Sequence, residues 1–109
     1  MITMVARMRV PPQNASAYEA LLTGVAEQVR ANEAEGVPYY AWAKSVETPD
    51  TYVVIEVYRD LDAHKAHMAS PWVKDSLPRS MALIDGPVEI QQYVTPGQEP
   101  VTHFVSKRA

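Results

Sequence analysis

The chain contains no cysteine. That removes a disulfide framework, a thiolate nucleophile and a thiolate metal site, and makes the cytoplasm the default compartment. Positive charge is also scarce: ten Lys and Arg stand against thirteen Asp and Glu, for a formal net charge of -3. With no basic run anywhere, the clustered cations that a nucleic-acid backbone demands are missing. Long apolar runs are absent as well. The N-terminal MITMVARMRV sets Arg7 and Arg9 inside an apolar alternation, so it reads as a strand, and as neither a signal peptide nor a membrane-spanning helix. There is no internal repeat and no low-complexity segment. The chain also lacks G-x-S-x-G, a P-loop and G-x-G-x-x-G, the defining parts of the hydrolase-elbow, nucleotide and dinucleotide classes.

What remains is an ordinary globular composition, 47% hydrophobic and 21% charged over 109 residues. A single domain of that size buries roughly 65% of its unfolded surface, so its core is modest. Ile2 to Val10 alternates, with Ile2, Met4, Ala6, Met8 and Val10 on one face and Thr3, Val5, Arg7 and Arg9 on the other, which predicts a strand ended by Pro11 and Pro12. Tyr18, Leu21, Leu22, Val25 and Val29 then recur at helical spacing, predicting a long helix from about Ala15 to Asn32 with Asn14 as its cap. Gly24 inside that helix costs about 1 kcal/mol relative to Ala, and points to close packing against a strand.

A second strand follows Gly36, over Val37 to Val46, and Glu47-Thr48-Pro49-Asp50 turns it into a third, Thr51 to Tyr58, so that the two form a hairpin. The third strand sets Tyr52, Val54, Glu56 and Tyr58 on one side and Thr51, Val53, Ile55 and Val57 on the other. Asp60 caps a short helix that ends near Ala69, and Ser70-Pro71 starts another. Pro78 is expected to break or kink that helix, which stops at Asp85-Gly86-Pro87 ahead of a fourth strand over Pro87 to Val94. After Thr95 comes a tail with a short alternating piece, Val101 to Val105.

The order is βαββαβ plus a tail, which predicts an α+β fold of the ferredoxin-like kind, a four-stranded antiparallel sheet with helices on one face. Strands one, three and four keep apolar residues on both sides. Helices cover only one of them, so a homodimer packed sheet to sheet is expected.

With these segments in place, the chain resembles the antibiotic biosynthesis monooxygenase family. The residues that carry the resemblance are MITMVARMRV with its following proline, Gly36 with Tyr40, VVIEVY, His67 in AHMAS, and Gly86-Pro87 before VEIQQY. It spans about residues 1 to 95 as one domain and leaves 96 to 109 as a tail able to cross to a partner subunit. The resemblance implies a dimeric α+β barrel and a cofactor-independent oxidation of a small electron-rich aromatic, a phenol, quinol or anthrone, by dioxygen. Where many members carry His after Ser-Pro this chain has Trp72, and three residues before His67 it has His64 in place of an apolar residue. A haem-degrading branch carries Asn, Trp and His at positions that here are approximately Arg7, His67 and Leu77, so haem is not expected.

Candidate site residues centre on His64 and His67, which lie within one turn of each other. Leu61, His64 and Met68 define the expected inward stripe, with His67 at its margin. Either histidine could be a general base, with an unperturbed pKa of about 6.5, or a hydrogen-bonded structural residue. A shared metal ion lacks an evident third ligand, since His103 lies in the tail; no metal and no cofactor are expected. Arg7, Tyr40, Glu56, Tyr58 and Trp72 are the substrate-binding candidates, with Arg7, Tyr58 and Trp72 as oxyanion donors. Glu56 and Arg7 are expected to form an ion pair. The same aromatic residues, with Trp42, would also serve as core. The alternatives to an oxygenase are a cofactor-free isomerase and a ligand-binding dimer without chemistry.

Overall fold

The computed structural model describes residues 1–102. Its elements are β1 (Ile2–Arg9), a 3-10 turn (Pro12–Asn14), α1 (Ala15–Asn32), β2 (Tyr39–Lys44), β3 (Thr51–Tyr58), α2 (Leu61–Ala69), α3 (Pro71–Leu83) and β4 (Asp85–Val94). The strands form one sheet in the order β2-β3-β1-β4, every neighbour antiparallel. This is the expected ferredoxin-like α+β fold. No helix among the described residues is long and apolar enough to cross a membrane.

Register decides which residues meet the helices. Met4 pairs with Glu56, Ala6 with Val54 and Met8 with Tyr52, while Tyr40 pairs with Glu56 and Trp42 with Val54. Because strand side chains alternate, all of these share the face that α1 covers with Tyr18, Leu21, Leu22, Val25 and Val29, each buried. The opposite face carries Val5, Val53, Ile55, Val57 and Ala41, all half-buried, with Tyr39 and Tyr93 exposed at its margins. Arg7 belongs to this second face too, opposite Val53 and Glu89.

Several local expectations need correction. Asn14 sits at the start of α1 but makes no side-chain cap; its Nδ2 instead donates to the Leu83 carbonyl at 3.1 Å and ties that end to the end of α3. Pro78 does not break α3, which runs on to Leu83. Burial of Val73 and Ser76 beneath it holds the helix together despite the missing backbone donor. The fourth strand starts earlier, at Asp85, because Gly86 takes φ +80 and lets the backbone enter the sheet through a register shift opposite Arg7 and Arg9.

The close approach expected of Gly24 occurs at Gly36 instead. A Cβ there would meet the Ala63 Cβ at 3.1 Å, whereas one at Gly24 would meet nothing within 4 Å. Beyond β4 the chain returns to its own core. Val101 N–H donates to Gln92 Oε1 at 2.8 Å, and Gln92 Nε2 donates to the Val101 carbonyl at 3.0 Å. That seats Val101 among Ile2, Met4, Val25, Val29, Val37 and Tyr58. Val101 and Thr102 form no strand. The rest of the expected Val101–Val105 piece, His103, and the tail's anticipated crossing to a partner lie outside the described residues.

Gly24 lies on the exposed side of an interior helical turn, so Gly24→Ala gains helix propensity without a clash. We expect it to raise stability by about 1 kcal/mol and the melting temperature by about 4 °C or more, measured by thermal denaturation.

Candidate active site

Small side chains at the centre of the helix-facing sheet, Ala6 and Val54, leave a cavity of about 330 Å³ beneath the three helices. Most of its wall is apolar, including Met4, Met8, Leu22, Ile84, Val88 and Ile90. Glu56, Tyr40, Tyr58, His64 and His67 also line it, and they are mutual neighbours. The Tyr58 and His64 ring centroids are 4.9 Å apart, Tyr58 and His67 5.4 Å, and Tyr40 and His67 6.1 Å.

The placement of the histidines follows from how α2 is anchored. Asp60 caps its start by accepting from Ala63 N–H at 2.9 Å, and Ala63 lies against Gly36. At the other end the Ser70 hydroxyl donates to the His67 carbonyl at 2.7 Å and accepts from Val73 N–H, capping α3. The packed stripe is therefore Ala63, His67 and Ser70, at i, i+4 and i+7. His67 is 3% exposed and central, His64 is half-buried beside it, and Met68 is 40% exposed. This reverses the expected order, in which His64 held the middle and His67 the margin.

Glu33, which sequence reasoning did not single out, holds His67 in place. It is the C-cap residue of α1, where the negative end of the helix dipole disfavours a carboxylate. Two donors offset that: Trp72 Nε1 donates to its Oε2 at 2.7 Å, and His67 Nδ1 lies 3.1 Å from both of its oxygens. With Nδ1–H directed to a carboxylate, His67 keeps its Nε2 lone pair, and Nε2 is 4.0 Å from Glu56 Oε2. A signal for Glu33 existed, since the apolar stripe through Leu22, Val25 and Val29 reaches position 33 at its next step, and that step is an acid.

Glu56 is placed by β3 on the cavity wall, where the Tyr58 hydroxyl donates to it. Burial lifts its pKa above the ordinary 4.5; the nearby His67 and the Tyr58 hydrogen bond oppose the rise and Glu33 adds to it. Burial and His67 together hold His64 below its ordinary 6.5, which keeps that ring neutral at neutral pH. Burial, followed by the negative charge of Glu56, pushes Tyr58 and Tyr40 well above the usual phenol range, so both remain hydrogen-bond donors. Tyr18, read from sequence as core, also lines the cavity, and burial raises it to about 12 against an opposing hydrogen bond with Ser80.

The remaining candidates lie elsewhere. Arg7 is on the far face of the sheet from Glu56, so the expected ion pair does not form: an odd offset along β1 sends the two side chains to opposite sides. Trp72 is not part of the cavity wall and reaches the site only through Glu33. Trp42 packs on Tyr52 at 6.3 Å. Among the described residues, no group of three or more His, Cys, Asp or Glu is arranged to hold a metal ion.

Comparisons with known proteins bear on this arrangement. The sequence pattern of the family described as antibiotic biosynthesis monooxygenase matches residues 1–78. A Caulobacter crescentus CB15 protein named as a candidate member of that family is 28% identical, with a TM-score of 0.80 over 84% of this chain and 86% of that one. Rv0793 of Mycobacterium tuberculosis is 25% identical, with a TM-score of 0.78 over 89% and 96%. A conserved Methanosarcina mazei Go1 protein is 25% identical, with a TM-score of 0.77 over 84% and 89%. No functionally curated protein matches the chain.

The raised Glu56 pKa carries a stability signature. The folded state binds a proton there more tightly than the unfolded chain, so this contribution is fully present below pH 4.5 and is lost as pH rises through the folded-state value. In pH-dependent denaturant unfolding of wild type and Glu56→Gln, the stability difference should shift in favour of the glutamine variant as pH rises from about 4.5.

Proposed function

We propose, on the premise that the chain belongs to the antibiotic biosynthesis monooxygenase family, that it is a cofactor-independent monooxygenase of a small electron-rich aromatic, with His67 as the base. The observation that carries the reading is the Glu33-held imidazole on the wall of a largely apolar cavity, its Nε2 free to accept a proton. A phenol, quinol or anthrone bound there loses a proton to Nε2, and the neutral His64 ring with the Tyr40 and Tyr58 hydroxyls supplies donors for the resulting oxyanion. Arg7 and Trp72 do not serve as donors in this scheme, because neither lines the cavity.

For an anthrone the balance is simple. The deprotonated carbon passes one electron to dioxygen and the radical pair joins to form a C–O bond. The peroxide then loses its remaining C–H proton to the base as the O–O bond breaks. The substrate keeps one oxygen as a carbonyl, and the other departs as water. The two hydrogens of that water come from the substrate, so no external reductant is consumed. Excluding bulk water protects the anion, a role suited to the apolar wall.

The same reading includes a homodimer. Val5, Val53, Ile55, Val57 and Ala41 form an apolar patch on the sheet face that the helices leave bare, bordered by Tyr39 and Tyr93, which are 53% and 57% exposed. Sheet-to-sheet packing of two copies would bury it.

Two outcomes are expected. With a panel of hydroquinones and anthrones under ¹⁸O₂, mass spectrometry should find label in product, and His67→Ala should lower turnover by about 100-fold or more with folding intact; unchanged turnover would make the histidine structural. Sedimentation at micromolar concentration should give a dimer, and Ile55→Lys should shift it to monomer; a stable wild-type monomer would remove the sheet-to-sheet interface.

A further inference from the structure

Glu56 has no part in the oxidation as written, yet it is the one carboxyl on the cavity wall and is 4.0 Å from the nitrogen that acts as base. Its hydrogen-bond partner is the Tyr58 hydroxyl, a donor, which leaves a carboxyl proton free for a ligand. Glu33 meanwhile occupies Nδ1 of the same ring. One imidazole thus lies between two carboxyl groups with unlike surroundings. Glu33 is joined to two N–H donors, whereas Glu56 has a single hydroxyl donor in an apolar wall. Burial raises the Glu56 pKa, in keeping with a group that holds its proton. A carboxylic acid beside an imidazole base, both facing one ligand, is the equipment for moving a proton within that ligand.

We propose that this cluster also catalyses a redox-free 1,3-proton shift, the keto–enol interconversion of an uncharged cyclic ketone, with His67 as base, Glu56 as acid and Glu33 as the residue that positions His67. The proposal shares the base with the oxygenase reading but needs no oxygen. His67 Nε2 takes a proton from the carbon beside the carbonyl. The C–H electron pair becomes the C=C bond, the carbonyl π pair moves onto oxygen, and Glu56 gives that oxygen its proton. No electron leaves the ligand. The imidazolium then returns a proton to the Glu56 carboxylate across the 4.0 Å gap, resetting both groups. The ligand is uncharged because the cavity wall contains no Lys or Arg to neutralise an anion and does contain a carboxyl. Its body is apolar, to match Met8, Ile84, Val88 and Ile90 beyond the polar cluster.

The test is deuterium exchange under nitrogen. The whole protein is incubated with 2-tetralone or anthrone in D₂O, and loss of the acidic C–H signal is followed by ¹H NMR. Exchange is expected at least about 100-fold above a buffer blank. It should fall by about 10-fold or more in Glu56→Gln and to the blank in His67→Ala, with circular dichroism confirming folded variants. Should E56Q not fold, Glu56→Asp, which withdraws the carboxyl by one methylene, carries the same test. Glu33→Gln should lower kcat without raising KM, and ¹⁵N NMR should show His67 losing its fixed Nδ1–H tautomer, a change that a purely structural role would not produce. Exchange at the blank level in the folded wild type, or exchange untouched in the Glu56 variants, overturns the proposal. Exchange that depends on Glu56 without any ¹⁸O incorporation under oxygen upholds it and removes the oxygenase reading alone.

Discussion

Three helices meet at one carboxylate. Glu33 ends α1, His67 comes from the middle of α2 and Trp72 from the first turn of α3, and the hydrogen bonds among them join those helices above the sheet. Hydrogen bonds to a charged group contribute about 1.5–3 kcal/mol each when partly buried, enough to offset the unfavourable end of the α1 dipole on which Glu33 stands. The same contacts fix which nitrogen of His67 bears hydrogen. A structural joint and a chemical orientation are thus one arrangement, and the cavity, the base and the helix layer depend on it together.

The sheet imposes the second constraint. Its helix-facing side cannot be filled throughout, because Ala6 and Val54 are small where α1, α2 and α3 arch over them, and the resulting cavity contains an acid, an imidazole pair and tyrosines at its polar end. Burial acts on all of these in the direction of the uncharged form. A site whose acid stays protonated and whose second histidine stays neutral favours proton transfer to and from a neutral ligand over the binding of an anion. Membership of a monooxygenase family and the geometry of the site both lead to deprotonation as the first chemical event, and the fate of the anion, oxidation or reprotonation, is where the two proposed activities part.

How much of this was legible beforehand differed by length scale. Alternation in Ile2 to Val10 and Thr51 to Tyr58, the stripe of α1, and the caps at Asp60 and Ser70 each depend on neighbours within about one turn, and all were readable. Asn14 and Pro78 were misread because a distant partner overrides the local rule: the Leu83 carbonyl takes the amide that would have capped α1, and packing beneath Val73 and Ser76 carries α3 through its proline. Gly24 was misread since a glycine records only a missing Cβ, not what stands opposite it; Gly36 was the one with a neighbour at 3.1 Å.

The sequence by itself determined the order of elements, the ferredoxin-like sheet, the family, and a site that includes His64, His67, Glu56, Tyr40 and Tyr58, since periodicity and motif spacing are local properties of the chain. Only the tertiary structure decided that His67 is the central histidine, that Glu33 orients it, that Trp72 acts through Glu33, and that Arg7 faces away from Glu56. Those facts rest on rotation of a nine-residue helix about its axis and on strand register. A turn of about 100° per residue, or a shift of one residue along a strand, exchanges buried for exposed. In α2 that rotation was set from outside, by Gly36 against Ala63 and by Ser70 at the far end, contacts that local periodicity does not encode.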